Sequence, residues 1–315
     1  MYPTLIEGPN GLNFNTYGMF IMLAFVAAFL VTHNKSQRAG IHPMALLPCY
    51  AAAGIGGLAG GRILYSVAVE PGLMGLLSNP ISLISGSGFA MYGGLIGGAL
   101  AVGIVAIPQG IPPWKLADIA APSVLIGMGV GRLGCFFAGC CHGGIAPVMP
   151  EQSVLVGPPL QGMLWSSGSF PFITAEFHTG VGRILNTPLY PTQLWAVVSL
   201  ISLSALLLVL WDFRRFDGQL AAIALMVEPL FRGTIEAFRA DHRGTVFQWE
   251  VSEAMAARFP GMTQAGGDLS SATMGLTTSQ TIGLGMVVLG AMIYASRRNA
   301  GVAEEIPFDP DDDDT

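Results

Sequence analysis

Residues 131–144 read GRLGCFFAGCCHGG. One arginine, Arg132, precedes Cys135, Cys140, Cys141 and His142. A guanidinium is a permanent cation whose planar fork donates two parallel hydrogen bonds to a phosphate. A thiolate is a nucleophile, a disulfide partner or a ligand for a soft metal. The spacing Cys-x4-Cys-Cys-His disfavours a metal ion, because adjacent cysteines seldom both ligate one, and none is assigned. A disulfide, a reactive thiol beside Arg132 and plain packing stay open. A second chemical stretch, VEPLFRGTIEAFRAD, occupies residues 227–241. Glu228, Arg232 and Glu236 are four apart, so they share one helix face in the favourable Glu-before-Arg order. Arg239 lies just beyond them.

The elements that carry these groups are apolar. Of 315 residues, 52% are hydrophobic and only 11% charged, against about 25% charged in a soluble domain. The net charge of −6 comes from the C-terminal tail, where seven of the last twelve residues are acidic. Residues 299–315 are expected to be a solvated, disordered tail. No basic stripe suggests nucleic acid as a partner. The N-terminus lacks the charged region of a cleavable signal peptide. A bilayer core takes about 20 apolar residues per helix. Seven segments qualify: 15–33, 44–69, 81–107, 117–139, 190–211, 218–238 and 277–296. The expected fold is therefore an all-α polytopic membrane protein, with one seven-helix domain over 1–298 and outer segments at 142–189 and 240–276. Lys35, Arg38, Lys115, Arg214, Arg215, Arg297 and Arg298 fall in alternate connections. The positive-inside bias then places the N-terminus outside and the C-terminus in the cytoplasm.

Arg62, Arg132 and Arg232 sit within or at the outer ends of spans two, four and six. One such charge at a helix centre costs about 2.5–3.5 kcal/mol, and three cost on the order of 8–10 kcal/mol. All three spans run inside to outside, so the guanidiniums point toward the outer half of the bilayer. Converging there, they make an anion site, and an anion at that depth is a phospholipid headgroup. Glu228 and Glu236 offset Arg232 alone; a self-neutralised ladder is the plainer reading of that helix. Glycines cluster at 54–61, 93–98 and 127–134, where small residues let membrane helices approach closely. The same positions let a headgroup reach backbone amides.

These residues together resemble the bacterial prolipoprotein diacylglyceryl transferase family. The likeness spans about 12–296. It is carried by TYG (16–18), GGRILY (60–65), YGGLIGG (92–98), DIAAPSVLIGMGVGRLGCFFAG (118–139), YPTQLW (190–195) and FRGTIEAFRAD (231–241). The resemblance implies an enzyme of the bacterial inner membrane. It would move the diacylglyceryl group of phosphatidylglycerol to the thiol of a lipobox cysteine in a lipoprotein precursor's signal peptide, releasing glycerol phosphate. Membrane lipids are further partners, and no cofactor is implied. Arg132 takes a phospholipid-binding role and Arg232 a catalytic, phosphate-contacting one. Arg62, Arg239, Tyr17, Tyr65, Gly93, Gly94, Gly134, Cys135, Gly139 and Gln193 complete the expected substrate site.

Five positions depart from the family pattern. Tyr92 stands where a histidine, the candidate general base, is usual. Tyrosine, with a pKa near 10, is a poorer base. Cys135 replaces an asparagine, Cys140 an acid, Tyr190 a histidine and Ala196 an acidic residue. Tyr92, His142 and Glu236 therefore share the candidacy for base. Two alternatives stay open: a relative that binds the same lipid but uses another acceptor or none, and a Cys/His redox or metal protein on the same fold.

Overall fold

The computed structural model describes residues 4–7, 13–68, 90–138, 140–141, 143–144, 190–240, 245–252, 255, 259, 262–264 and 272–301, and short strands between 153 and 184. It is mostly helical. Among the described residues, seven helices follow the apolar runs: α1 (Thr16–Arg38), α2 (Pro43–Ala68), α3 (Met91–Ala106), α4 (Pro113–Ala138), α5 (Thr192–Leu210), α6 (Gln219–Glu236) and α7 (Thr278–Arg297). Five of them, α1, α2, α4, α5 and α7, are long and apolar enough to cross a membrane. Two of the seven expected spans are not among these five, and residues 81–89 of the third lie outside the described residues. The helix α3 has 16 residues, short of the roughly 20 a bilayer asks for. The helix α6 has 18 and carries Glu228, Arg232 and Glu236.

Strands correct the all-α expectation. A hairpin pairs β1 (Thr4–Glu7) with β2 (Asn13–Asn15). Inside the expected outer segments, β3 (Ser153–Val156), β4 (Met163–Ser166) and β5 (Ile173–Ala175) form one antiparallel sheet, and β6 (Phe177–Thr179) pairs with β7 (Gly182–Ile184). A third sheet has the order β8-β10-β9, with β8 (Thr245–Val251), β9 (Thr263–Gln264) and β10 (Ala272–Thr277). Such connections run outside the apolar spans, where backbone groups left unpaired by helices need partners. The tail beyond residue 301 lies outside the described residues.

The chain divides into two compact units, Met1–Leu30 with Ala120–Val302, and Val31–Ile119 with Ala303–Thr315. In the second unit, α2 and α3 pack through glycine. A Cβ on Gly97 would meet the carbonyl oxygen of Gly56 and come within 2.8 Å of Gly60 Cα; one on Gly93 would meet Gly60 O and Leu64. The pairs Gly56/Gly60 and Gly93/Gly97 are each four apart, the small-residue stripe that lets backbones touch in a membrane. Gly97→Val is thus expected to lower the unfolding midpoint in detergent. Gly103→Ala, with nothing within 4 Å of its added carbon, should leave the midpoint unchanged or raise it through helix propensity. Equal shifts from both would refute glycine-mediated contact. Helices α1 and α3 stop alike: Gly40 and Gly110 have φ of 69° and 73°, and Ile41 N and Ile111 N donate back to Ser36 O and Ala106 O at 2.9 and 3.2 Å. A residue with a Cβ is strained in that left-handed turn.

In the first unit, α7 starts with a capping box. Thr277 Oγ1 accepts from Gln280 N at 3.1 Å, and Gln280 Oε1 accepts from Thr277 N at 2.9 Å, so two orphan donors are satisfied reciprocally. The Gln280 amide also donates to Gly233 O at 2.8 Å, fixing the start of α7 against α6. Gly283 takes the ring of Pro229, and Gly290 faces Ala222 O. On the other flank, Ser204 Oγ of α5 donates to Pro122 O of α4 at 2.7 Å. These contacts set α4, α5 and α6 around one cleft.

Candidate active site

The cleft, about 450 Å³, lies wholly in the first unit. Arg132 and Met128 enter from α4, Thr192, Ala196 and Ser199 from α5, and Glu228, Phe231, Arg232 and Glu236 from α6, with Arg239 just past its end. Two of the three expected guanidiniums, Arg132 and Arg232, therefore face one space. Arg62, Tyr65, Tyr92, Gly93 and Gly94 belong to the second unit; there Gly93 packs on Gly60, which accounts for its lack of a side chain. His142 and Gly139 lie outside the described residues.

The arginines are positioned rather than loose. Glu236, 2% exposed, sits between two of them: its Oε2 is 3.8 Å from Arg232 Nη2 and 3.9 Å from Arg239 Nε. These separations exceed hydrogen-bond length, so the attraction is chiefly coulombic. Burial keeps it from being screened as a surface pair would be. Arg232 also donates from Nε and Nη2 to Ser279 Oγ of α7, at 3.3 and 3.1 Å. Ser279 was not an expected site residue. It is 47 positions from Arg232, and nothing in the local pattern of a helix start distinguishes it.

Beyond α4, Cys140, Cys141, Gly143 and Gly144 are pinned between the start of α5 and the end of α6. Thr192 Oγ1 donates to Cys141 O at 3.1 Å and Gln193 Nε2 to Cys140 O at 2.8 Å. Gly143 N donates to Tyr190 O at 2.9 Å, Tyr190 N to Gly144 O at 3.0 Å, and Gly144 N to Phe238 O at 2.8 Å. A Cβ at Gly143 would strike both Tyr190 and Phe238 O. Tyr190 packs edge-on to Phe238, with ring centroids 5.2 Å apart, and Trp195 joins them. Tyr190 is thus a packing and backbone-pairing residue here, and buried Gln193 holds the cysteine segment. Gly134 is packed against Phe20 and Tyr17 of α1, and the ring of Tyr17 is partly exposed.

This pinning draws the thiols together. The sulfurs of Cys135, Cys140 and Cys141 all lie within 4.8 Å of one another, and all four cysteines are free. Hydrogen bonds from the Cys135 and Cys140 thiols, with the charge and hydrogen bond of Arg239, push the Cys141 thiol well below its usual range against the opposing effect of burial. Arg239 therefore lies both at the lining of the cleft and within electrostatic reach of the thiol cluster.

A family model described as prolipoprotein diacylglyceryl transferase matches residues 3–296. A phosphatidylglycerol–prolipoprotein diacylglyceryl transferase of Clostridium tetani (strain Massachusetts / E88) is 28% identical over 256 residues, 80% of this chain and 91% of its own. The protein named as transferase 2 of Clostridium perfringens (strain 13 / Type A) is 27% identical over 238 residues, 75% and 83% of the two chains. The transferase of Rhodopirellula baltica is 33% identical over 146 residues, 45% of this chain and 30% of its own.

Proposed function

The chain belongs to the prolipoprotein diacylglyceryl transferase family, and from that membership we propose which of its residues do the work. It is a transferase that moves the diacylglyceryl group of phosphatidylglycerol to a prolipoprotein. The acceptor atom is a cysteine thiol of the precursor's lipobox. The sulfur forms a bond to the glyceryl carbon, the carbon–oxygen bond to phosphate breaks, and the electron pair leaves on glycerol phosphate.

Arg132 and Arg232 hold the phosphate of the lipid. The observation that carries this reading is their convergence, from α4 and α6, on one cleft with Arg239 at its edge. Arg232 stabilises the charge that grows on the leaving group, and its contacts to Ser279 and Glu236 set the fork beforehand, so little reorganisation accompanies the step. Glu236 is a positioning residue between two guanidiniums rather than the base. Tyr17, packed beside Gly134 on the same unit, serves the lipid or the precursor peptide. Seven spans with the N-terminus outside and the C-terminus in the cytoplasm suit the alternate placement of Lys and Arg. The bacterial inner membrane suits the substrates.

Expression in a bacterium depleted of its own transferase is expected to restore growth and lipidated precursor, read as the diacylglyceryl mass shift on the precursor cysteine. Full membrane expression without that product would overturn the assignment of the acceptor. Retained phosphatidylglycerol binding would then mark a lipid-binding relative.

A further inference from the structure

The phosphate chemistry leaves Cys135, Cys140 and Cys141 without a task. Successive side chains normally diverge, to opposite faces of a strand or around a helix, which is why neighbouring cysteines seldom share an ion. Cys141 escapes that geometry. Its φ is 61°, a left-handed conformation uncommon for a residue with a Cβ. The hydrogen bonds of Thr192 and Gln193 to the carbonyls of Cys141 and Cys140, at 3.1 and 2.8 Å, hold it there. The turn folds the neighbouring thiols back onto Cys135, at the last turn of α4.

We propose that Cys135, Cys140 and Cys141 bind a zinc ion as three thiolates, and that its open fourth position takes the acceptor thiol of the precursor. The second half rests on the transferase reading. Tetrahedral zinc with bonds of about 2.3 Å sets ligand sulfurs about 3.8 Å apart. Sulfurs already within 4.8 Å need to close by about 1 Å at most. Thiolates select zinc or copper(I) among common ions. Charge favours zinc: three thiolates and Zn2+ sum to −1, against −2 with copper(I), and the Arg239 guanidinium acting on the Cys141 thiol, though shared with Glu236, offsets the smaller excess more readily.

Three protein ligands and one exchangeable position are the arrangement of a catalytic zinc site. A thiol that binds zinc gives up its proton outright. The precursor R–SH would bind as R–S⁻, with its proton passing to water. The sulfur lone pair then attacks the glyceryl carbon as glycerol phosphate departs. Zinc changes no oxidation state, and the thioether, a weaker ligand, dissociates. Thr192, which donates to the Cys141 carbonyl, and Arg239, whose charge acts on its thiol, both line the cleft with Arg132 and Arg232, which sets the thiol cluster next to the phosphate site. The site supplies a thiolate without a general base, which suits a chain with Tyr92 where its family has histidine.

Full-length protein, purified in detergent with reductant and stripped by a chelator, is titrated with Co2+ alone as a spectroscopic stand-in. One equivalent per chain and a sulfur-to-cobalt charge-transfer band are expected, retained in Cys49→Ser and lost in Cys140→Ser/Cys141→Ser. Four reactive thiols with no Co2+ bound would overturn the proposal. So would a count of two, which reports a disulfide in the cluster. The role is read separately with labelled phosphatidylglycerol and a lipobox peptide. Removing metal is expected to slow transfer about a hundredfold, with lipid binding unchanged and Zn2+ restoring the rate. Full-rate transfer by metal-free protein would defeat the proposal and leave the transferase assignment standing. Zinc-loaded protein that binds lipid yet transfers nothing would defeat both.

Discussion

Arg232→Ala is expected to slow diacylglyceryl transfer about a hundredfold to a thousandfold, the range for losing one preorganised donor to a developing oxyanion. Arg232→Lys keeps the charge and still loses much of the rate, because an ammonium is a point charge without the planar fork. In the folded protein that fork is already engaged: Nε and Nη2 share Ser279 Oγ, and Nη2 approaches Glu236. Lysine cannot hold both contacts and present two parallel donors to a phosphate. The loss should appear in kcat more than in KM for the lipid, since the charge being stabilised exists only as the leaving group departs. Arg132→Lys makes the contrast, raising KM more than it lowers kcat if that residue only binds. The measurement is the rate of mass gain on a lipobox peptide with phosphatidylglycerol vesicles. An Arg232→Lys protein with parental kcat would remove Arg232 from the chemistry.

Glu236→Gln is the second large effect. The carboxylate is 2% exposed and lies within 4 Å of two guanidiniums. Removing its charge leaves Arg232 and Arg239 buried beside each other with nothing between them but an amide. Breaking a buried pair by removing one partner costs about 3–5 kcal/mol, and the long separations here point to the lower end, about 3 kcal/mol. The charge of Arg239 also acts on the Cys141 thiol, so the disturbance should reach the thiol cluster. A double variant, Glu236→Gln/Arg239→Gln, removes one of the two repelling charges and should recover part of the stability. That non-additivity is the signature of a shared network. Unfolding by denaturant in detergent reads both variants. A single variant within about 0.5 kcal/mol of the parent, the usual range for a surface change, would show that Glu236 is not holding the arginines.

The amino-acid sequence by itself determined the membrane class, because apolar runs of about 20 residues are a local property that folding does not alter. It also marked the exceptional groups. Arginines inside such runs are costly wherever the helices end up, so Arg132 and Arg232 announced themselves, and the four-residue spacing put Glu236 on the face of Arg232. Patterning failed where an outcome depends on two distant segments. Ser279 grips Arg232 only because the capping box and Gln280 seat α7 on α6. The strands between 153 and 184 were hidden in a polar-to-mixed connection, where pairing needs partners found only after folding. The cysteines carried the sharpest difference. Their spacing argued against a shared ion, since it assumes ordinary backbone between neighbours. Only the packed structure, by clamping the carbonyls of Cys140 and Cys141 to the first turn of α5, turns Cys141 left-handed and gathers three sulfurs into one place.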